Sequence, residues 1–388
     1  MKKRVLIAAG LIAFSAATIT SCDKDKEEDK TAQIVDSVAI DAEYTAAYAK
    51  QWGNYMRTVA TLLKTDSDNL YDYWNTAYDG GDSYAKRFLS YTGAGFKSST
   101  DCVEQIIDGC VDIANEVGDS KIGGPVESGD VLQVESWFSW HSRVDYTNNI
   151  TSIKNAYYGS LDGVVNANSI SKVVNSKNAE LDAKVIAAIK TAQDAIMSIP
   201  QPFRNNLSCQ EAKTAIEACA ELHDILEKDL KAFVEANSDY NWDAVLSQYV
   251  NNVVLPTYKS LKDNNTALYN AVVEFQKSPS NNGFQKCADA WLAARTPWES
   301  SEAFLFGPVA DKGLDPNMDS WPLDLSGIVK IFNTQSWSEL EWSGDYEEVP
   351  EEGEATKHAK DIESAQNLRG FHTLEYLIFK DGKARTIH

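Results

Sequence analysis

His372 is the residue best placed to do chemistry in this 388-residue chain. It lies in Arg369-Gly370-Phe371-His372-Thr373-Leu374-Glu375-Tyr376, within an apolar stretch read as a helix from Ala359 to Phe379. The i, i+3 spacing sets His372 and Glu375 one turn apart on one face, so an imidazole and a carboxylate can converge on a cation. A His–Glu hydrogen bond inside a packed interface would use the same spacing. Gly370 costs helix propensity but lets another segment approach closely. Of the other histidines, His388 ends the chain, His358 follows an acidic loop, His223 sits on an apolar stripe, and His141 belongs to a polar cluster.

Two further clusters carry charge among aromatics. In Arg295-Thr296-Pro297-Trp298-Glu299-Ser300-Ser301-Glu302, helical spacing gives one surface a cation (Arg295), an indole (Trp298) and two carboxylates (Glu299 and Glu302). A solvated face explains the charges but not Trp298, Phe304 and Phe306, which predict burial, and buried carboxylates need partners. The third stretch runs from Glu135 to Ile150. As a helix it would put Ser139, Ser142, Asp145, Tyr146 and Asn149 on one face, with Trp137, Trp140, His141 and Val144 on another. So dense a polar stripe predicts a buried network or a cleft wall, with Ser139, His141 and Asp145 as candidate ligand-binding groups.

The elements that must position these groups are helical. Apolar residues recur at steps of three and four over Glu211–Phe233 and again from Leu181 to Ile196, where Pro200 and Pro202 stop the pattern. Similar stretches cover Val38–Leu63, Cys102–Val117, Val131–Tyr158, Trp242–Gln276 and Gly283–Leu305. Punctuation falls at 118–129, 166–178, 278–283 and 307–322, and the acidic segment 344–353 reads as an exposed loop. No alternating strands joined by hairpin turns are evident. The expectation is an all-α chain of two helical bundles.

The N-terminus reads as an export signal. Lys2, Lys3 and Arg4 precede a short apolar run and Ile19-Thr20-Ser21-Cys22, too short a run for a membrane span, which needs roughly 20 apolar residues. The tetrad resembles the bacterial lipobox, making 1–21 a lipoprotein signal peptide and Cys22 the lipid-accepting residue. Residues 22–32 form a charged tether without apolar surface to bury, resembling the surface-export signal of Bacteroidetes lipoproteins. The expected location is the cell envelope, at the periplasmic or external face of the outer membrane. Loss of the three leader cations takes the formal charge from −21 to −24, which argues against nucleic acid as a partner. Five cysteines then remain, an odd number that is no disulfide framework.

Taken jointly, several motifs resemble the imelysin-like proteins, exported bacterial proteins tied to iron uptake and once classed as metallopeptidases. Gly370-Phe371-His372-Thr373-Leu374-Glu375 matches that family's G-x-H-x-x-E. Trp298 to Val309, Asp315-Pro316 with Asp319 to Leu323, and Val134 to Ser139 add to it. The resemblance implies two related four-helix bundles side by side with a functional cleft between them. In the family the G-x-H-x-x-E and Trp-Glu elements precede the Glu-Ser-Trp element. The reversed order here implies circular permutation, with bundles at 33–255 and 256–388. His372 and Glu375 become the expected metal ligands, for iron or zinc, completed by Glu299 or Glu302 and by His141 or Asp145 across the cleft. An iron-linked ligand and an iron-uptake protein are the expected partners. A peptidase reading finds a thin ligand set, because no second histidine lies one turn from Glu375 as zincin motifs require. A purely structural lipoprotein is the remaining alternative.

Overall fold

The computed structural model describes residues 44–92, 95–350 and 353–388. The signal peptide, Cys22 and the tether lie outside the described residues. Eight helices build two bundles: α1 (Ala49–Asn75), α2 (Ser99–Asn115), α3 (Ser142–Tyr158), α4 (Ala179–Ser198), α5 (Gln210–Asp224), α6 (Leu255–Lys277), α7 (Asn281–Glu299) and, near the C-terminus, α8 (Gly370–Ile378). In the first bundle α2, α3, α4 and α5 each pack on their neighbours in a ring. In the second, α1, α6, α7 and α8 do the same. The all-α expectation holds, with only two short two-stranded hairpins, 77–82 and 379–384, among the described residues.

Each helix follows from its apolar spacing. Trp52, Tyr55, Met56, Val59, Leu63, Leu70 and Trp74 line the buried face of α1. That helix continues past Leu63, the end expected from the sequence, through the polar run Thr65 to Asn69. Ser67 returns its hydroxyl to the Lys64 carbonyl, and Asp66 forms a buried ion pair with Arg369, so both polar side chains are satisfied inside the helix.

The sequence division at 255/256 falls in continuous helix, since Asp243–Tyr249, a π-helical segment Val250–Val254 and α6 run on without a break. Moreover, α1 packs against α6 and α8 rather than with the first bundle. The first and last helices thus share a bundle, and Tyr44 and Ile387 meet in a parallel bridge.

Four local expectations change. Residues 118–129 are not a loop, because α2 runs into a π-helical segment, Glu116–Gly123, and then Gly124–Ser128. Within 166–178 lies the helix Ile170–Lys177, capped by Ser169, whose hydroxyl accepts from the Lys172 amide. Ala359–Phe379 is two helices, Lys357–Gln366 and α8, broken before Gly370 at φ 89°. The helix expected from Val131 begins only at Ser142, and 134–141 is an irregular loop with Ser136 and Trp140 at positive φ. The reason is chemical: the amides of Phe138 and Ser139 are donated to Glu375 and so are not available to a helix. The cysteines Cys102, Cys110, Cys209, Cys219 and Cys287 are all free.

Candidate functional site

The bundles meet where α3 packs on α7 and where α2 packs on the short turn Glu302–Phe304. From α7 come Arg295, Trp298 and Glu299. The helix ends at Glu299, so Glu302 sits on the following 3-10 turn rather than on the same helical face. Ser152 of α3 accepts the Ala303 amide at 2.9 Å and fixes that turn. A short helix, Leu314–Asp319, adds Asp315 and Asp319, and α8 adds His372 and Glu375.

Arg295 is the hub and is fully buried. It pairs with Asp319, lies 2.5 Å from Glu299 Oε1 and 3.6 Å from Asp145 Oδ2, and has Nη2 3.2 Å from His372 Nε2. Trp298 donates its indole N–H to Asp319 at 2.7 Å, and Asn149 of α3 donates to Glu299 at 2.6 Å. His372, Arg295, Glu299 and Asp145 therefore converge across the interface.

His372 and Glu375 are occupied with each other and with their neighbours. His372 Nδ1 lies 3.1 Å from Glu375 Oε2, and Nε2 lies 3.2 Å from Asp319 Oδ1. The other Glu375 oxygen accepts the amides of Phe138 and Ser139 at 3.1 and 2.7 Å. Burial and the Arg295 charge oppose protonation of His372, but Asp319 and Glu375 outweigh them and raise its pKa to about 9. The pair thus joins Asp319 on one side to the 134–141 loop on the other.

Ser139 enters through its backbone N–H, with its hydroxyl 3.4 Å from the Ser136 carbonyl. His141 stands at the rim, its side chain 22% exposed and its Nδ1 2.8 Å from Asp145. Burial disfavours its charged form, but Asp145 prevails and raises its pKa. Asp145 also accepts from Ser136 at 2.5 Å.

A different set of residues converges as ion ligands would. One carboxylate oxygen from each of Glu299, Glu302 and Asp319 lies within 4.8 Å of the others. Burial drives the Glu299 pKa up to about 8 against the pull of Arg295, and raises Glu302 well above the usual carboxylate range despite Lys121. Burial also lifts Asp315 to about 7. Asp319 goes the other way: burial is overcome by Arg295 and His372, which hold it well below the usual range. Beyond Glu302, the buried Lys121 of the π-helical segment lies 3.1 Å from Glu135 and 3.4 Å from Glu116. Buried Asn149 Oδ1, Tyr146 Oη and Thr373 Oγ1 find no hydrogen-bond partner among the described residues.

Sequence reasoning singled out Arg295, Trp298, Glu299 and Glu302 but not Asp319, Asp315, Asn149 or Lys121 as site residues. The signal for the two aspartates was their i, i+4 spacing in Asp315-Pro316-Asn317-Met318-Asp319, two carboxylates on one face of a short apolar segment.

The raised pKa of His372 makes stability depend on pH. Its unfolded value is near 6.5 and its folded value about 9, so its contribution is complete below pH 6.5 and is lost as pH rises through 9. Glu299, also raised, changes stability in the same direction over its own range. We expect the urea midpoint to fall steadily from pH 6 to 9.5. In His372→Gln the fall above pH 8 should flatten, and an unchanged slope there would remove His372 as its source.

Two four-helix bundles closed over a buried centre rich in carboxylates define an all-α protein with an acidic inter-bundle site. The family model for imelysin, peptidase family M75, matches residues 26–228 and 254–388, and the chain belongs to that family. A crystal structure of an imelysin peptidase from Bacteroides ovatus superposes with a TM-score of 0.84 at 53% identity, over 89% of this chain and 99% of that one. Iron-regulated protein A of Synechococcus elongatus is 30% identical over 132 residues, 34% of this chain and 30% of that relative's length.

Proposed function

We propose that this protein binds a metal cation, iron in its natural role, at Glu299, Glu302 and Asp319 between the two bundles. The carrying observation is the convergence of these buried carboxylates within 4.8 Å. Around them lie Asp145, Asp315 and Glu375, while Arg295 supplies the nearby cation and Lys121 is shared with Glu116 and Glu135. So many buried carboxylates must hold protons or a cation. The raised pKa values of Glu299 and Asp315 mean that protons are held near neutral pH, and a bound ion would displace them. An all-oxygen donor set suits hard cations, among which manganese, calcium and magnesium compete with iron. The iron-regulated relative favours iron.

In this reading His372 and Glu375 position Asp319 and close the loop over the site. Glu375 is held by two backbone amides and His372 is fully buried, an arrangement suited to holding an ion more than to hydrolysis.

The mature chain, purified without lipid and titrated with Fe(II) under anaerobic conditions and with Zn(II), tests this. We expect a saturable site that weakens at least tenfold in Glu299→Gln/Glu302→Gln and tightens from pH 6 to 8.5 with proton release. A double variant that binds both ions as the wild type does would defeat the proposal.

We further propose that acylated Cys22 and its charged leash hold the protein at the outer membrane, where it passes iron to an uptake partner. No helix among the described residues is long and apolar enough to cross a membrane. Incorporation of labelled palmitate in growing cells, absent from Cys22→Ser, is the expected result. Circular permutation is supported by the motif order and by the bridge between Tyr44 and Ile387, since permutation needs neighbouring ends.

A further inference from the structure

Leu314 and Asn317, on the helix that carries Asp315 and Asp319, line an open cleft of about 590 Å³, within the size range of small-molecule sites. The segment from Glu341 to Tyr346 forms one wall, Tyr73 and Tyr78 line another part, and the buried Arg369 completes the lining.

Charge in this cleft does not balance. Arg369 is paired with Asp66, and Lys312 with Asp79 at 2.8 Å, which leaves the carboxylates of Asp311, Glu341 and Asp345 in excess of the lining cations. Such a field repels an anion. A metal ion is poorly served as well, because the carboxylates that converge closely enough among the described residues lie elsewhere, at Glu299, Glu302 and Asp319.

Aromatic faces complete the pattern. Trp342 and Tyr346 pack with ring centroids 6.0 Å apart, and the Lys312 ammonium lies 5.4 Å over Tyr78 beside Asp79. The cleft thus already holds one alkylammonium by a ring face and a carboxylate together. Arg369 supplies an independent indication. Only 4% exposed, it gives Nη1 to the Leu340 carbonyl and Nη2 to Asp66, while its Nε–H has no hydrogen-bond partner among the described residues. A buried donor of this kind calls for an acceptor.

We propose that this cleft binds a small organic cation, an alkylammonium or guanidinium compound that also carries an acceptor oxygen. The cationic group lies among Trp342, Tyr346, Glu341 and Asp345, and the oxygen accepts from Arg369. The site is separate from the proposed metal site and does not depend on it.

Calorimetric titration of the mature chain with Nα-acetyl-L-argininamide at low salt tests the proposal, with Nα-acetyl-L-citrullinamide as an uncharged analogue of similar shape. Binding of argininamide is expected to exceed that of citrullinamide at least tenfold and to weaken as salt is added. It should fall at least tenfold in Glu341→Gln/Asp345→Asn and stay unchanged in Glu302→Gln. Glu341 and Asp345 are exposed, so their substitution leaves the fold intact, which circular dichroism checks. Equal binding of the two amides, a Glu341/Asp345 double variant that binds like the wild type, or no binding of argininamide overturns the proposal.

Discussion

Replacing Arg295 by methionine should lower the unfolding free energy by about 3–5 kcal/mol, the usual cost of removing one partner from a buried ion pair. Methionine is close in length and apolar, so the cavity left behind is small and the loss is mainly electrostatic. Without the guanidinium, Asp319, Glu299 and Asp145 keep their burial but lose the cation that contacts all of them. The Phe371 ring also loses the cation 5.4 Å from its centroid. The variant has a second signature. Because the unpaired carboxylates can take protons, the difference from wild type should shrink as pH falls from 8 to 5, whereas a packing defect would not respond to pH. Urea denaturation of both proteins at the two pH values reads the effect. A loss below about 1 kcal/mol at pH 8 would mean that the carboxylates are already neutral and that Arg295 is not the hub.

What the sequence disclosed and what it hid have a physical pattern. Helices whose burial is set by their own apolar period were legible, as at Leu181–Ile196 and through α5 and its π-helical continuation. The 134–141 loop was not, because its conformation answers to a carboxylate more than two hundred positions away, whose oxygen takes two of its amides. The site shows the same division. Helical spacing brought out His372 with Glu375 and Arg295 with Glu299, pairs that touch within one helix. Asp319 was hidden because its importance comes from contacts with two other helices, through Trp298 and Arg295 on one and His372 on the other. Spacing also could not tell that both nitrogens of His372 would be engaged, one by Glu375 and one by Asp319, which makes the residue a clamp on the Leu314–Asp319 helix.

That clamp depends on Gly370, and Gly370→Ala is the sharpest test of it. Gly370 has φ 89°, which strains any residue with a side chain. A β-carbon there would also stand 2.5 Å from the Met318 carbonyl oxygen and 2.8 Å from its carbon. Backbone cannot rotate aside as a side chain tip can, so relief requires moving the Leu314–Asp319 helix. Strain and overpacking together should cost about 3 kcal/mol. Gly129→Ala separates the two contributions: Gly129 has φ 69°, but a β-carbon added there would meet nothing within 4 Å, so it should lose only about 1 kcal/mol. The excess in Gly370→Ala measures the close approach. Because the displaced helix carries Asp319, the same variant should bind Fe(II) at least tenfold more weakly, while Gly129→Ala binds as the wild type does. Were Gly370→Ala to lose stability and keep its iron affinity, the ion would have to be held without Asp319, leaving Glu299 and Glu302 to find another third ligand.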